Sequence, residues 1–482
     1  MPTFVTVDLG ATSGRVVNVR VDEATIALEV VRRFPMTTIA GPGGALAWDF
    51  AAVLAEVRAG LVEAVRRGPV DAMAVDAWGV DYGLLDAAGN RLGPVHAYRS
   101  SRTDGVMEAV VAAVGRERIY GITGVQFLSL NTAYQLVAAR DTPEYADAAR
   151  LLMIPDLVNH DLCGSATNDV TDASTTQLLD ASTRTWSDEL VEALDLRRDV
   201  LPELHEPGTA LGVVSGVDRT VDGLPVVAAA SHDTASAVAG TPLRAGGADV
   251  YISCGTWALV GCERSAPVAT AEALAANVTN ELGVEGSIRL LMNVTGLWLL
   301  EECRRWWEAH GDPSSAADLV AAAEHVPGGR SVVDPDDPRF GPPGDLPVRI
   351  AAVCAESGQP VPASAAETTR VILDSLALAW RRTVATIERV SGQAAERIHL
   401  IGGGSAIPLL RRLCASACER PVLAGPAEAT VVGNAIVQAT ATGALADVAH
   451  GRRLVEQELA VDQVTPEPTL DWNALAGRLP AP

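Results

Sequence analysis

Asp8, Thr12, Ser13 and Arg15 fall close together around the small residues Gly10, Ala11 and Gly14. Small residues let backbone N–H groups approach an anion, and the two hydroxyls and the guanidinium add donors and charge. Asp8 adds a carboxylate able to hold a hydrated cation. Together these groups suit a phosphate and its counter-cation, although an ordinary hairpin turn has the same composition. A second set is Ser231-His232-Asp233-Thr234. Asp233 there can accept a proton or cap a helix, and His232 can act in polar chemistry or simply pack. A third set, Ser253-Cys254-Gly255-Thr256-Trp257, repeats the small polar character of the first.

All 37 cationic side chains are arginines. A phosphate loop of the Walker type and a protein-kinase strand lysine are therefore both excluded. A dinucleotide fingerprint fits poorly, because its glycines open a helix, whereas Gly10 to Gly14 lead into Val16, Val17, Val19 and Val21. What remains is phosphate held in a hairpin turn between two β-rich runs, Phe4–Val7 and Val16–Val21.

The elements that must position these groups read as alternating strands and helices. Val53, Leu54, Val57, Leu61, Val62 and Val65 recur at helical spacing, Gly68 stops that helix, and Val70 to Val75 continues as a strand into Asp76-Ala77-Trp78-Gly79. An apolar strand, Leu224 to Ala229, precedes the Ser-His-Asp-Thr segment and a small-residue helix follows it. In the second half Leu373, Leu376, Trp380, Val384 and Ile387 mark a helix ended by Ser391-Gly392. Ile398 to Ile401 is then a strand, and Gly402-Gly403-Gly404-Ser405 opens the next helix. Punctuation from Gly240 to Gly247 marks a junction between two α/β halves. Two segments, Asp334-Pro335-Asp336-Asp337-Pro338 through Gly341-Pro342-Pro343 and the tail from Thr465 onward, read as surface loops.

With 482 residues, 48% hydrophobic and 20% charged, the chain can bury more than one core. A formal charge of −23 argues against nucleic acid or an anionic membrane as partner. An anionic ligand then needs local help from arginine, backbone dipoles or a divalent cation. Seven scattered cysteines without a zinc spacing predict reduced thiols in a cytoplasmic protein. Cys414 and Cys418, four apart on a helix, place Cβ atoms about 5–6 Å apart. A disulfide wants about 3.5–4.5 Å, so they read as core residues, with a redox pair as the alternative. His96, His160 and His205 show no metal spacing, and no run approaches membrane-spanning length.

Many ordered blocks together resemble the FGGY carbohydrate kinases of the actin-like superfamily. They include Val7 to Arg15, Trp78-Gly79-Val80-Asp81, Tyr98-Arg99, Gly124 to Phe127, Thr175 to Leu178, Ser231 to Val238, Gly255-Thr256-Trp257, Thr279-Asn280-Glu281, Gly296 to Leu300, Gly402 to Gly404 and Ala424-Gly425-Pro426. The resemblance implies two actin-like (ribonuclease H-like) α/β domains flanking an interdomain catalytic cleft. Residues 1–243 would form an N-terminal domain with the sugar site and phosphate hairpin, 244–445 a nucleotide-binding domain, and 446–482 a tail. It implies ATP and Mg²⁺ as cofactors and transfer to the C1 hydroxyl of L-rhamnulose. Another ketose or polyol, such as fuculose or xylulose, is the alternative substrate, and a non-catalytic nucleotide and sugar switch the alternative function. By resemblance, Ala11, Thr12, Ser13, Gly14, Arg15 and Thr256 bind ATP phosphates, Gly403 meets the nucleoside, and Asp8 holds Mg²⁺ through water. Gly79, His232, Asp233, Thr234 and Asn293 contact the sugar, with Asp233 as proton acceptor.

Three positions depart from the family pattern. Glu301 stands where a nucleotide-contacting Gln is usual, Ser405-Ala406-Ile407 lacks the common Gln-Asn, and Ser100 replaces an Asp. Oligomeric state leaves no trace in the sequence.

Overall fold

The computed structural model describes residues 1–41, 44–244, 246, 248–459 and 461–479. The chain packs as two units, each discontinuous in sequence: Met1–Pro242 with Glu263–Leu290 and Glu428–Leu459, and Leu243–Cys262 with Leu291–Ala427 and Ala460–Pro482. The first break, between Pro242 and Leu243, lies within the expected junction; Gly247 of that junction lies outside the described residues.

The first unit is built on a mixed sheet. Strands β1 (Thr3–Leu9), β2 (Ser13–Val21), β3 (Ile26–Pro35), β4 (Ala72–Ala77), β5 (Ala210–Val213) and β6 (Pro225–Val227) lie in the order β5-β6-β4-β1-β2-β3. β1 and β2 form the expected hairpin, with Asp8 opposite Arg15 and Leu9 opposite Gly14. Gly14 is required by packing, because a Cβ there would lie 2.3 Å from the Phe34 ring. Between β1 and β4 the pairing is parallel and sets Asp8 beside Asp76.

Strand alternation sends neighbouring side chains to opposite faces. Val5, Val7 and Leu9 join Met73 and Val75 in one core, under Val53, Val57 and Leu61 of α1 (Phe50–Arg66) and Leu157 and Val158 of α2 (Ile154–Cys163). Asp49 caps α1 by accepting from the Ala52 N–H. Phe4 and Ala72 face the other core, formed with Ala235 and Ala239 of α3 (Asp233–Ala239) and with Val431, Val432 and Ala435 of the helix Ala429–Ala441. That helix and α3 cross at glycines: a Cβ on Gly433 would lie 1.7 Å from the Ser236 carbonyl oxygen, and one on Gly240 would lie 2.3 Å from the Ala429 oxygen.

In the second unit β7 (Asp249–Cys254) and β8 (Trp257–Arg264) form an antiparallel hairpin. With β9 (Ile288–Thr295), β10 (Arg397–Ile401), β11 (Val422–Ala424) and β12 (Asp462–Val464) the order is β9-β8-β7-β10-β11-β12, with Thr279–Leu282 beside β9 at the edge; Thr279–Leu282 and the β9 residues up to Leu290 count with the first unit. The helices α4 (Trp298–Ala309), α5 (Ala365–Ser391), α6 (Pro408–Cys418) and α7 (Ala429–Ala441) follow, α7 belonging to the first unit. Gly392, at φ 70°, ends α5 as its spacing requires.

Two loop expectations need correction. Phe340, inside the first expected loop, is buried in a short 3₁₀ turn, Pro338–Phe340. Beyond Thr465 the chain forms a helix, Trp472–Ala476, whose Trp472 is buried and donates its indole N–H to Ser416 Oγ at 3.0 Å. Burial of one tryptophan outweighs the polar composition around it. Residues 446–482 are likewise not a single tail: Val448–Glu458 is a helix of the first unit and Asp462–Val464 a strand of the second.

Candidate active site

Three carboxylates of the first unit interact through their charges: Asp8, Asp76 and Asp233. Asp8 is 6% and Asp76 0% exposed, and both sit at the carboxyl ends of parallel strands, on the face covered by α7. Such strand ends are where open α/β sheets collect ligands. Asp76 accepts from Asn434 Nδ2 of α7 at 2.6 Å, while among the described residues its Oδ1 has no hydrogen-bond partner. Burial and then the charge of Asp8 push the Asp76 carboxyl well above the usual range, Asn434 opposing. Gln438, one turn along α7, donates to the Val5 carbonyl at 3.0 Å and to Asn434 Oδ1 at 2.8 Å, which fixes the Asn434 amide.

Asp233 opens α3 as its first helical residue, and the cap position is held by His232, which makes no side-chain capping bond. Its carboxyl, 29% exposed, accepts from Thr234 Oγ1 at 3.1 Å and lies 3.5 Å from His232 Nε2. Burial raises its pKa, and the Asp8 charge raises it further. A partly accessible carboxylate with elevated proton affinity suits a general base. The segment is pinned from below: Asp169 Oδ1 accepts from the Ser231 N–H at 3.2 Å, Thr171 Oγ1 accepts from the His232 N–H at 3.2 Å, and the Ala77 N–H donates to the Ser231 carbonyl at 2.8 Å.

The last bond brings Trp78-Gly79-Val80-Asp81 beside the same segment. A Cβ on Gly79 would meet Thr175 at 2.9 Å, so the backbone there lies against that side chain. Val80 holds φ 69°, a conformation that costs a β-branched residue about 1–3 kcal/mol. Three hydrogen bonds enforce it: the Val80 N–H to Thr175 Oγ1 at 3.1 Å, and Thr132 Oγ1 and Gln135 Nε2 to the Val80 carbonyl at 2.7 and 3.2 Å. Asp81, fully buried, accepts from the indoles of Trp48 and Trp78 at 2.7 and 2.9 Å and from Gln135 at 3.0 Å.

In the glycine-rich turn, Thr12 and Ser13 are exposed and Gly10 and Ala11 half-buried. The Gly10 N–H closes the turn on the Ser13 carbonyl at 3.0 Å. Arg15 is not a free phosphate clamp: its Nε donates to Asp8 Oδ2 at 2.7 Å, and its guanidinium pairs with Glu428.

The expected nucleotide residues Thr256, Glu301 and Gly403, and with them Asn293, belong to the second unit. The turn after β7 is locked to the start of α4, because the Leu297 N–H donates to the Gly255 carbonyl at 2.8 Å and the Trp298 N–H to the Thr256 carbonyl at 3.2 Å. The triple glycine packs on the same turn: at Gly402, φ 73°, a Cβ would sit 2.9 Å from the Cys254 oxygen, and one on Gly404 would sit 2.7 Å from Cys254 Sγ. Thr256, Gly403 and the first turn of α4 are thereby gathered, while Asn293 lies half-buried on β9. Glu301 is paired with Arg304 at 2.7 Å and Arg305 at 3.4 Å, and the Arg304 hydrogen bond holds its pKa below the usual value. The Glu301 carboxylate is thus compensated on its own helix.

Asp76, Asp81, Asn434 and the Asp169–Thr171 pair escaped the sequence reading. Asp76 and Asp81 stood within quoted motifs, whereas no local signal joins Asn434 to Asp76. Among the described residues no cluster of three or more His, Cys, Asp or Glu is arranged for a metal, and no helix is long and apolar enough to cross a membrane. Among the described residues no disulfide joins any of the seven cysteines, Cys414 and Cys418 included.

Comparison with known proteins gives the family of the chain. Family models for the N-terminal and C-terminal domains of the FGGY family of carbohydrate kinases match residues 3–240 and 250–442. The chain is 42% identical over 475 residues to a rhamnulokinase of Pectobacterium carotovorum, covering 97% of this chain and 94% of that protein. It is 39% identical over 477 residues to a rhamnulokinase of Bacteroides thetaiotaomicron, covering 98% and 97%. Among solved structures, a xylulose kinase of Lactobacillus acidophilus superposes with a TM-score of 0.80 at 14% identity, covering 99% and 96% of the two chains. A glycerol kinase of Plasmodium falciparum with ADP gives 0.77 at 13% identity, covering 99% and 97%, a likeness of fold. With both domain models matched in order along a chain that carries the carboxylates, turns and glycines in these places, the protein belongs to the FGGY family of carbohydrate kinases, two-domain α/β phosphotransferases that use ATP and a divalent metal.

Proposed function

We propose that the chain is a cytoplasmic kinase that transfers the terminal phosphoryl group of ATP to the C1 hydroxyl of L-rhamnulose, with Mg²⁺ as its metal. The observation that carries the sugar assignment is the near full-length identity of 39–42% to several proteins named rhamnulokinase. The buried hard-oxygen donors fit the metal: the Asp8 carboxylate and the unpartnered Asp76 Oδ1 lie on one face of paired strands. When bound, the cation would neutralise charge on the terminal phosphates.

Asp233 takes the proton of the sugar hydroxyl, late in a loose transition state that needs alignment more than a strong base. Gly79, His232, Thr234 and Asn293 hold the sugar. The turn Ala11-Thr12-Ser13-Gly14-Arg15 and Thr256 hold the phosphates, Gly403 the nucleoside, and Glu301 flanks the nucleotide. Arg15 reaches phosphate by leaving its carboxylate partners. In sequence terms residues 1–243 supply the sugar site and phosphate turn and 244–445 the nucleotide site, with Asn293 the exception. Neither nucleic acid nor membrane is a partner in this reading, in keeping with the net charge of −23.

A coupled ADP-release assay over a panel of ketoses and polyols tests the assignment. L-Rhamnulose is expected to give the highest kcat/KM; preference for fuculose or xylulose would reassign the sugar, and no sugar-dependent ADP release with any of them would make the chain a switch.

A further inference from the structure

Behind His232 lies a buried ion pair that none of the roles above uses. Arg289, on β9, is 0% exposed and pairs with Glu281 at 3.1 Å. Its Nε donates to the Leu282 carbonyl at 3.1 Å, which fixes the plane of the guanidinium. Nη2 lies 3.0 Å from His232 Nδ1, and Glu281 Oε2 lies 3.4 Å from the same ring nitrogen.

We infer that Arg289 is a positioning residue that holds His232 as the neutral tautomer with its hydrogen on Nε2. A guanidinium carries only donors, so a hydrogen bond from Nη2 requires the lone pair of Nδ1. The ring hydrogen then stands on Nε2, 3.5 Å from Asp233 Oδ1. Glu281 offsets the Arg289 charge in the interior and is the competing claimant for an Nδ1 hydrogen. The consequence is a fixed donor beside the carboxylate, which leaves the remaining acceptor capacity of Asp233 for the sugar hydroxyl. This last step rests on Asp233 being the base, whereas the tautomer does not.

The test is ¹⁵N NMR of the histidine rings in the substrate-free full chain, with His232 assigned by loss of its signals in His232→Asn. Wild type and Glu281→Gln are expected to show the Nε2–H tautomer. Arg289→Met, and Arg289→Met with Glu281→Gln, which leaves no buried charge unpaired, are expected to lose it. Arg289→Lys, still a donor, should restore it in part. In kinetics the double variant should lower kcat/KM for the sugar by roughly 10- to 100-fold while KM for ATP stays within about twofold, and Arg289→Lys should recover some of that loss. An Nδ1–H ring in wild type, or an unchanged Nε2–H ring in the double variant, would overturn the inference. Asp233→Asn, measured separately, decides the role of the base.

Discussion

Asp233 is the proposed base, and its carboxyl is reachable by solvent, elevated in proton affinity by burial, and steadied by Thr234. Replacing it with Asn keeps the shape and removes the acceptor. Turnover in the ADP-release assay should fall about 10²- to 10⁴-fold with a smaller change in sugar KM, and undiminished turnover would remove Asp233 from the mechanism. Glu301 makes a subtler case. Glu301→Gln restores an amide and leaves Arg304 and Arg305 partly uncompensated, so apparent ATP affinity should rise about 2- to 5-fold, the equivalent of one surface ion pair. Titration calorimetry with ATP at low and high salt checks this, because the gain should shrink as salt screens the arginines.

At the scale of elements, the crossing of α3 and α7 determines where Asp233 stands. Their backbones meet where only glycine fits, with Ser236 and Ala429 carbonyls against Gly433 and Gly240. Gly433→Ala must push the helices apart, and overpacking of this kind costs about 1–3 kcal/mol or more. Urea unfolding should show that loss together with reduced turnover, since α7 also carries Asn434 to Asp76. In the second unit the start of β7 is tied by Asp249, which accepts from Arg244 at 2.6 Å and Arg397 at 3.0 Å and lies 3.3 Å from His399. Burial alone would raise that carboxyl, but the hydrogen bonds from His399, Arg244 and Arg397 outweigh it and hold the pKa far below the ordinary value. A carboxyl depressed in the folded state lends stability that is complete above its unfolded pKa of about 3.9 and drains away as pH falls below it. Asp249→Asn should therefore lower thermal stability at pH 7 and flatten its decline below about pH 4, as read by Tm against pH.

These elements also show what the sequence could tell. The β1–β2 hairpin, the Ser-His-Asp-Thr segment and the glycine triplet were legible because each is a short run whose residue types state a local geometry. Phe340 and Trp472 were not, since each is an apolar side chain in a polar stretch whose pocket comes from elsewhere in the chain. The bond from Asn434 to Asp76 spans 358 positions, and the contact of Arg289 with His232 spans 57. Periodicity has no reach over such distances. The family resemblance supplied the proposed site residues, but not the partners that hold them.

On the scale of the whole molecule, the first unit is assembled from three stretches of chain, the last of them Glu428–Leu459. A chain ending at Ala427 would lack α7 and leave Asp76 without its amide donor and Phe4 and Ala72 without their cover. Such a truncation should lose the cooperative unfolding of the first unit, seen as a broad, low-temperature transition by calorimetry. The same discontinuity sets a timetable for biosynthesis. At roughly 5–20 residues per second the ribosome finishes the strands of the first sheet long before it makes the helix that covers one side of them. During that interval a nascent sheet with an apolar flank and an unsatisfied carboxylate stands open, a state in which a chaperone has something to hold.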